Sequence, residues 1–341
     1  MDYVELARVA HAMVAKGKGI LAADESSGTI KKRFDAIAVE NTESNRRDYR
    51  ELLFRTDDAM QTRISGVILY DETIRQKAKD GTPLVKLIEQ AGAIPGIKVD
   101  MGAKPLAMCP NETITEGLDG LRERFVEYRK LGARFAKWRA VIDIGAGFPT
   151  FTGITTNAHA LARYAALAQE NDIVPIVEPE VLMDGDHDID TCARVTEWTL
   201  KEVFQALFTQ RVMLEGIVLK PNMAISGMKA AKHASVEEVA EKTVAVLKRC
   251  VPSAVPGIAF LSGGQSDIDA TAHLNAINAG YDLPWPVTFS YGRALQAAPQ
   301  AAWRGEVQNV PPAQRAFAHR AKMNGLAATG EWNPDLEKTA A

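Results

Sequence analysis

The chain has 341 residues, 46% of them hydrophobic and 24% charged, with a formal net charge of -3. That balance gives no electrostatic case for nucleic acid or an anionic membrane as partner, and no apolar run approaches the length that spans a bilayer. Three cysteines, Cys109, Cys192 and Cys250, are far apart and odd in number. They argue against a disulfide framework and a zinc ribbon, and they fit a reducing, cytoplasmic setting.

The N-terminal stretch MDYVELARVAHAMVAKGKG reads as an amphipathic helix ending at Gly17. It lacks the apolar centre of a signal peptide. The first short apolar run, GILAAD (19 to 24), follows directly. The segment from Ile30 to Asp58 is helical in pattern, charged and longer than a simple crossover. GVILYD (66 to 71), GIKVD (96 to 100) and FAKWRAV (135 to 141) come next, with a periodic helical stretch from Thr115 to Lys130 between the last two. After them stand IVPIVEPE (173 to 180), a helix over Thr196 to Phe208, and EGIVLKP (215 to 221). Ser235 to Cys250 opens with a capping-box pattern, Ser235 followed by Glu238. GIAFLSGG (257 to 264) leads into a helix over Gln265 to Ala279 that stops at Gly280, a natural C-terminal residue. VTFSYGR (287 to 293) is the last run, and one more helix lies near Pro312 to Leu326.

Near-continuous Val/Ile/Leu runs suit strands buried on both faces. Eight of them alternating with helices predict an α/β fold, a closed (β/α)8 TIM barrel, over an open doubly wound sheet. No linker divides the chain. The expected organisation is one catalytic domain, residues 1–330, with extra helices in its N- and C-terminal regions, followed by a short flexible tail, 331–341.

In such a barrel, chemistry belongs at the C-terminal ends of the strands. Those ends carry Asp24, Lys98 with Asp100, Lys137 with Arg139, Glu178 with Glu180, Lys220, Ser262-Gly263-Gly264, and Ser290 with Gly292-Arg293. Residues two apart on a strand share a face, so Lys137 with Arg139, and Glu178 with Glu180, point the same way. A lone strand-end lysine is more often a snorkelling side chain. Ionised groups on nearly every strand converge instead on one poorly solvated space, and burying that much charge needs a reason.

Lys220 faces Lys98, Lys137 and Arg139 in this reading. Two ammoniums about 5 Å apart at an effective dielectric near 20 repel by roughly 3 kcal/mol. Glu178 and Glu180 offset part of that. Crowding of this kind favours a neutral amine, the form that attacks a carbonyl carbon and builds a Schiff base. At the seventh and eighth strand ends, Ser262-Gly263-Gly264-Gln265 precedes a helix and offers backbone N–H groups to a phosphate. Gly292-Arg293 adds a close approach and a charged fork. A second anion site is expected near the first strand, where Ser26 and Thr29 open a helix, Arg33 follows a turn later and Lys98 lies nearby; the alternative there is an ordinary N-cap.

LAADESSGTI, FAKWRAV, PIVEPEV, LEGIVLKPNM, FLSGGQS and TFSYGRALQ, in this order, resemble the class I fructose-bisphosphate aldolases from about Val9 to Gly330. The resemblance implies a metal-independent (β/α)8 barrel without a cofactor, usually a homotetramer. It implies reversible cleavage of fructose 1,6-bisphosphate to dihydroxyacetone phosphate and glyceraldehyde 3-phosphate, in glycolysis and gluconeogenesis. Lys220 takes the Schiff-base position. Asp24 is the acid beside the reacting hydroxyls and holds the lysine cluster. Glu178 is the general acid/base, Lys137 assists imine formation, and Glu180 orients Lys137 and Lys220. Ser262, Gly263 and Arg293 match the ketone-side phosphate site; Ser26, Thr29, Lys98 and Arg139 match positions for the other phosphate and the sugar chain. Thr29 stands where many relatives have Ser.

Relatives commonly end in a tail whose terminal Tyr exchanges a proton with the enamine. This sequence ends GEWNPDLEKTAA, without a Tyr. The expectation is that Glu178 or a bound phosphate protonates the enamine, and that this exchange is slower than in tailed relatives. Metal-dependent aldolases need clustered histidines, whereas His11, His159, His187, His233, His273 and His319 are scattered. Asp184 to Asp188 looks metal-like but lacks EF-hand spacing, and reads as a solvated loop. A transaldolase-like lyase would not need two phosphate sites. A sugar-phosphate sensor or cytoskeletal scaffold would not need Lys220 beside Lys137 and Glu178.

Overall fold

The computed structural model describes residues 1–339. Among the described residues ten strands are formed: β1 (Gly19–Ala23), β2 (Ile64–Leu69), β3 (Ile94–Lys98), β4 (Ala103–Pro105), β5 (Thr113–Thr115), β6 (Phe135–Ile142), β7 (Val174–Val181), β8 (Val218–Leu219), β9 (Ile258–Phe260) and β10 (Val287–Tyr291). Eight of them close a parallel barrel in the order β1-β10-β9-β8-β7-β6-β3-β2. Each of the eight apolar runs of the sequence supplies one barrel strand. β4 and β5 form a separate antiparallel hairpin. Thr113–Thr115, beside the stretch expected to begin a helix at Thr115, is therefore extended, and the helix starts at Leu121 after Gly120 in a left-handed conformation.

Before β2 stand α1 (Tyr3–Met13), α2 (Ser27–Asp35), α3 (Glu43–Phe54) and α4 (Asp57–Thr62). Around the barrel run α5 (Asp71–Arg75), α6 (Leu84–Gln90), α7 (Leu121–Lys130), α8 (Phe151–Glu170), α9 (Ile189–Thr209), α10 (Val236–Cys250), α11 (Asp267–Gly280), α12 (Arg293–Trp303) and α13 (Val310–Ala327). The expected cap of α10 is present: the Ser235 hydroxyl accepts the Glu238 N–H at 3.3 Å.

Two apolar layers result from strand alternation. Leu21, Val67, Leu69, Ile97 and Val177 pack outward under the helices. Ile20, Ile68, Phe135, Val174, Ile176 and Val218 form a second cluster with Leu6, Val9, Ala10 and Met13 of α1. The amphipathic N-terminal helix thus closes the end of the barrel where the strands begin, leaving the ionised groups at the other end. The interior is tight: a Cβ on Gly96 of β3 would lie 2.3 Å from the Phe135 ring.

The segment after Gly330, expected to fray, is seated. Trp332 is buried, and its indole N–H donates to Glu337 at 3.0 Å. Glu337 also takes the buried Arg320 at 2.6 Å and His319 at 2.9 Å. Burying an indole and pairing a carboxylate with a guanidinium outweighs chain entropy here. The last two residues of the expected tail, Ala340 and Ala341, lie outside the described residues.

Candidate active site

The strand ends carry their ionised residues to one place. Lys137 on β6 lies between Asp24, just past β1, at 3.0 Å, and Glu178 on β7, at 3.1 Å. Lys220, just past β8, reaches the other oxygen of Glu178 at 3.2 Å. Its backbone N–H still donates to Val177 at 2.8 Å, so the sheet holds the root of the side chain. Lys137, Glu178 and Lys220 are all buried. Glu178 is therefore one carboxylate shared by the side chains of Lys137 and Lys220, and its Oε2, though ion-paired, has no hydrogen bond.

Burial alone would raise the Asp24 pKa, but Lys137, Lys220 and Lys98 outweigh it and bring it down to about 2. Burial likewise works against the charge on Lys137, yet Asp24, Glu178 and Asp100 hold that amine well above the usual lysine range. Lys137 is thus a firm cation beside Lys220.

Two expected assignments differ. Glu180 was expected to orient Lys137 and Lys220; its carboxylate instead takes the Arg139 guanidinium in a close ion pair. Opposite Arg139 in the β6–β7 register is Glu178, and Glu180 stands two residues further along, within reach of the longer side chain. Lys98 acts on Asp24 with the other lysines, but its own ion pair lies elsewhere. It is tied to Asp100, whose Oδ1 lies at 2.7 Å and whose carbonyl lies at 3.0 Å. Asp100 also accepts the Arg139 N–H at 3.3 Å and the Gly102 N–H at 3.1 Å, so it braces β3 against β6.

The phosphate-type residues form two groups. Ser262 is buried, Gly263 sits in the left-handed region at φ +56°, and Arg293, at the start of α12, donates to the Gly263 carbonyl. Ser290 is buried beside them on β10, and its hydroxyl has no partner. Arg33 belongs with this group and not with Ser26: it pairs with Glu25, and a Cβ placed on Gly292 would lie 3.5 Å from its guanidinium. The buried Glu25 draws it there. In the other group, the Ser26 and Thr29 hydroxyls lie 3.1 Å apart. Ser26 is the N-cap of α2 but makes no side-chain cap bond. It opens, with Lys98 and Asp100, onto a cleft of about 500 Å³ that Arg139 does not line.

Sequence reasoning passed over several supports of the site. Arg50 is buried and donates to the carbonyls of Ala23 and Glu25, at 3.3 and 3.0 Å. Gln296 donates to Ala22 and to the Glu25 carboxylate, at 2.6 and 2.7 Å. Asn222 accepts the Val181 N–H at 3.0 Å and donates to Thr196 at 3.0 Å, pinning the chain beyond Lys220. Asn222 was visible inside the KPNM string; Arg50 and Gln296 sit in ordinary helical patterns.

The fold and the site together define a barrel lyase of the lysine-imine kind. The family model described as fructose-bisphosphate aldolase class-I matches residues 5–341. A probable fructose-bisphosphate aldolase class 1 of Xanthomonas campestris is 59% identical over 97% of this chain and 99% of that protein. A non-muscle fructose-bisphosphate aldolase of Lethenteron camtschaticum is 54% identical over 97% of this chain and 91% of its own length. Among solved structures, fructose-bisphosphate aldolase from Plasmodium falciparum, crystallised with TRAP and a small-molecule inhibitor, superposes with a TM-score of 0.95 at 50% identity, covering 97% of this chain and 95% of that one. The chain belongs to the class I fructose-bisphosphate aldolase family.

Proposed function

We propose that Lys220 is the amine through which this aldolase works. The family reaction is reversible cleavage of fructose 1,6-bisphosphate to dihydroxyacetone phosphate and glyceraldehyde 3-phosphate through a lysine Schiff base. The neutral amine adds to the C2 carbonyl, and loss of water leaves an iminium ion. The C3–C4 bond then breaks, its electron pair passing to the iminium as an enamine, while the C4 hydroxyl gives up its proton and departs as the aldehyde. Protonation of the enamine and hydrolysis return the ketone and the free lysine.

The observation that carries this reading is the buried Glu178 carboxylate, 3.2 Å from Lys220 and 3.1 Å from Lys137, with one oxygen free of hydrogen bonds. In this reading it takes the proton released as the amine adds, returns it to the departing carbinolamine hydroxyl, and then accepts one from the C4 hydroxyl. Lys137 and Asp24 fix the charge around it, and Glu180 acts through Arg139. Ser262, Gly263, Ser290, Gly292, Arg33 and Arg293 are proposed for the ketone-side phosphate, with Gly264, whose N–H goes to the Met183 sulfur, shaping the turn; Ser26, Thr29 and Lys98 are proposed for the other, with Arg139 along the sugar chain. Assembly as a homotetramer in the cytoplasm is part of the same proposal.

Borohydride reduction in the presence of dihydroxyacetone phosphate tests it. Intact mass should rise by one reduced triose phosphate, located on the Lys220 peptide, and Lys220→Met should abolish both the adduct and turnover. An adduct on any other lysine would refute the assignment.

A further inference from the structure

Beside the candidate phosphate turn lies a methionine that no family motif of the sequence brought forward. Met183 follows β7, the strand that carries Glu178 and Glu180. Its neighbour Leu182 donates to Ile142 at 2.8 Å, and its own carbonyl accepts the Met228 N–H at 2.6 Å. The backbone is thus fixed on both sides, and the side chain is buried. Its sulfur accepts the Gly264 N–H at 2.8 Å. A Cβ on Gly263 would stand 2.1 Å from the Met183 methyl, and one on Gly264 would stand 2.9 Å from its sulfur. Both glycines therefore approach the thioether more closely than any other residue could, and Gly263 also needs its positive φ.

A thioether is a weak acceptor on an adaptable, unbranched chain. It occupies Gly264 without competing for the neighbouring Ser262 hydroxyl or the Arg293 guanidinium. We propose that Met183 is a positioning residue, holding the Ser262-Gly263-Gly264 turn in its phosphate-receiving shape through the Gly264 N–H. This rests on the reading that the turn and Arg293 take a phosphate. The contact also ties the turn directly to the strand that bears the general acid/base.

The test compares Met183→Leu, Met183→Gln and Arg293→Ala with the parent enzyme, using inorganic phosphate as the probe and fructose 1,6-bisphosphate as substrate. Leu keeps apolar bulk and removes the acceptor. Its phosphate dissociation constant and its KM should both rise, by about threefold to tenfold, the equivalent of one net hydrogen bond, while kcat holds. Gln returns an acceptor on a chain of similar length and should restore phosphate affinity. Parent-like phosphate binding in Met183→Leu, with binding weakened in Arg293→Ala, overturns the positioning role and leaves the phosphate reading intact. Unchanged binding in Arg293→Ala as well removes the phosphate reading and this role with it. Weakened binding in both Met183 variants, with kcat falling in step, assigns the side chain to packing alone and also overturns the role. Should the Leu variant fail to fold, the Gln variant decides by the same measurement: parent-like affinity supports the role, and loss of affinity overturns it.

Discussion

Glu178 stands between two lysines, one at each of its oxygens. In the proposed role, replacing it with Gln keeps the shape and removes the proton exchange. Turnover should fall by about 10²- to 10⁴-fold, the usual worth of a general acid/base, and single-turnover kinetics should locate the loss in carbinolamine dehydration and bond cleavage. Asp24 gives a prediction of a different type. Its pKa is brought from 3.8 down to about 2 in the folded protein. The corresponding stability is fully present above about pH 4 and is lost as pH falls through about 2. Asp24→Asn should therefore cost on the order of 2 kcal/mol at neutral pH. The gap between variant and parent, read from urea unfolding, should narrow toward pH 2. The residues of this cluster were legible because each ends an apolar run, where a charge has no other reason to be. Their pairings were less so. A strand's period of two says which face a side chain takes, but not that Arg139 takes the Glu180 carboxylate or that Arg33 swings to Glu25.

The eight barrel strands could be read off the chain because parallel strands buried on both faces leave continuous apolar runs. The hairpin of β4 and β5 left no such trace: its strands have three residues each, and the first is fully exposed. The helix–segment contact at the C-terminus was illegible for another reason. Polar residues beyond a glycine look like a loose end, and only the tertiary structure brings Glu337 to Arg320. That contact reaches the end of the barrel that carries the ionised cluster. Arg320 donates to the Asp267 carbonyl at 3.2 Å and to Thr271 at 2.6 Å, in the first turns of α11, the helix that follows the Ser262-Gly263-Gly264 turn. Arg320→Met should lower unfolding free energy by about 2 kcal/mol, the worth of a hydrogen bond to a charged group, because the part-buried Glu337 keeps Trp332 and His319. Denaturant melts of Arg320→Met and of a double variant with Glu337→Gln check it; removing both partners should recover part of the loss.

Across the whole molecule, the family match runs over residues 5–341, and identity to the relatives covers 97% of the chain. The contribution of α1 can be tested directly. Deleting residues 1–13 uncovers Ile20, Ile68, Phe135, Val174 and Ile176 at the base of the barrel. Exposed apolar surface on that scale invites association. The truncated protein should bind a hydrophobic dye and melt at a lower temperature; an unchanged melt would show that the base is sealed by other means. The stoppered floor also governs traffic. With α1 packed over that end, the opposite rim of lysines and arginines is where substrate and products would pass. The free aldehyde has to back out while the other fragment is still tethered to its amine, so the sequence of product exit follows from the architecture as much as from the bond-breaking step.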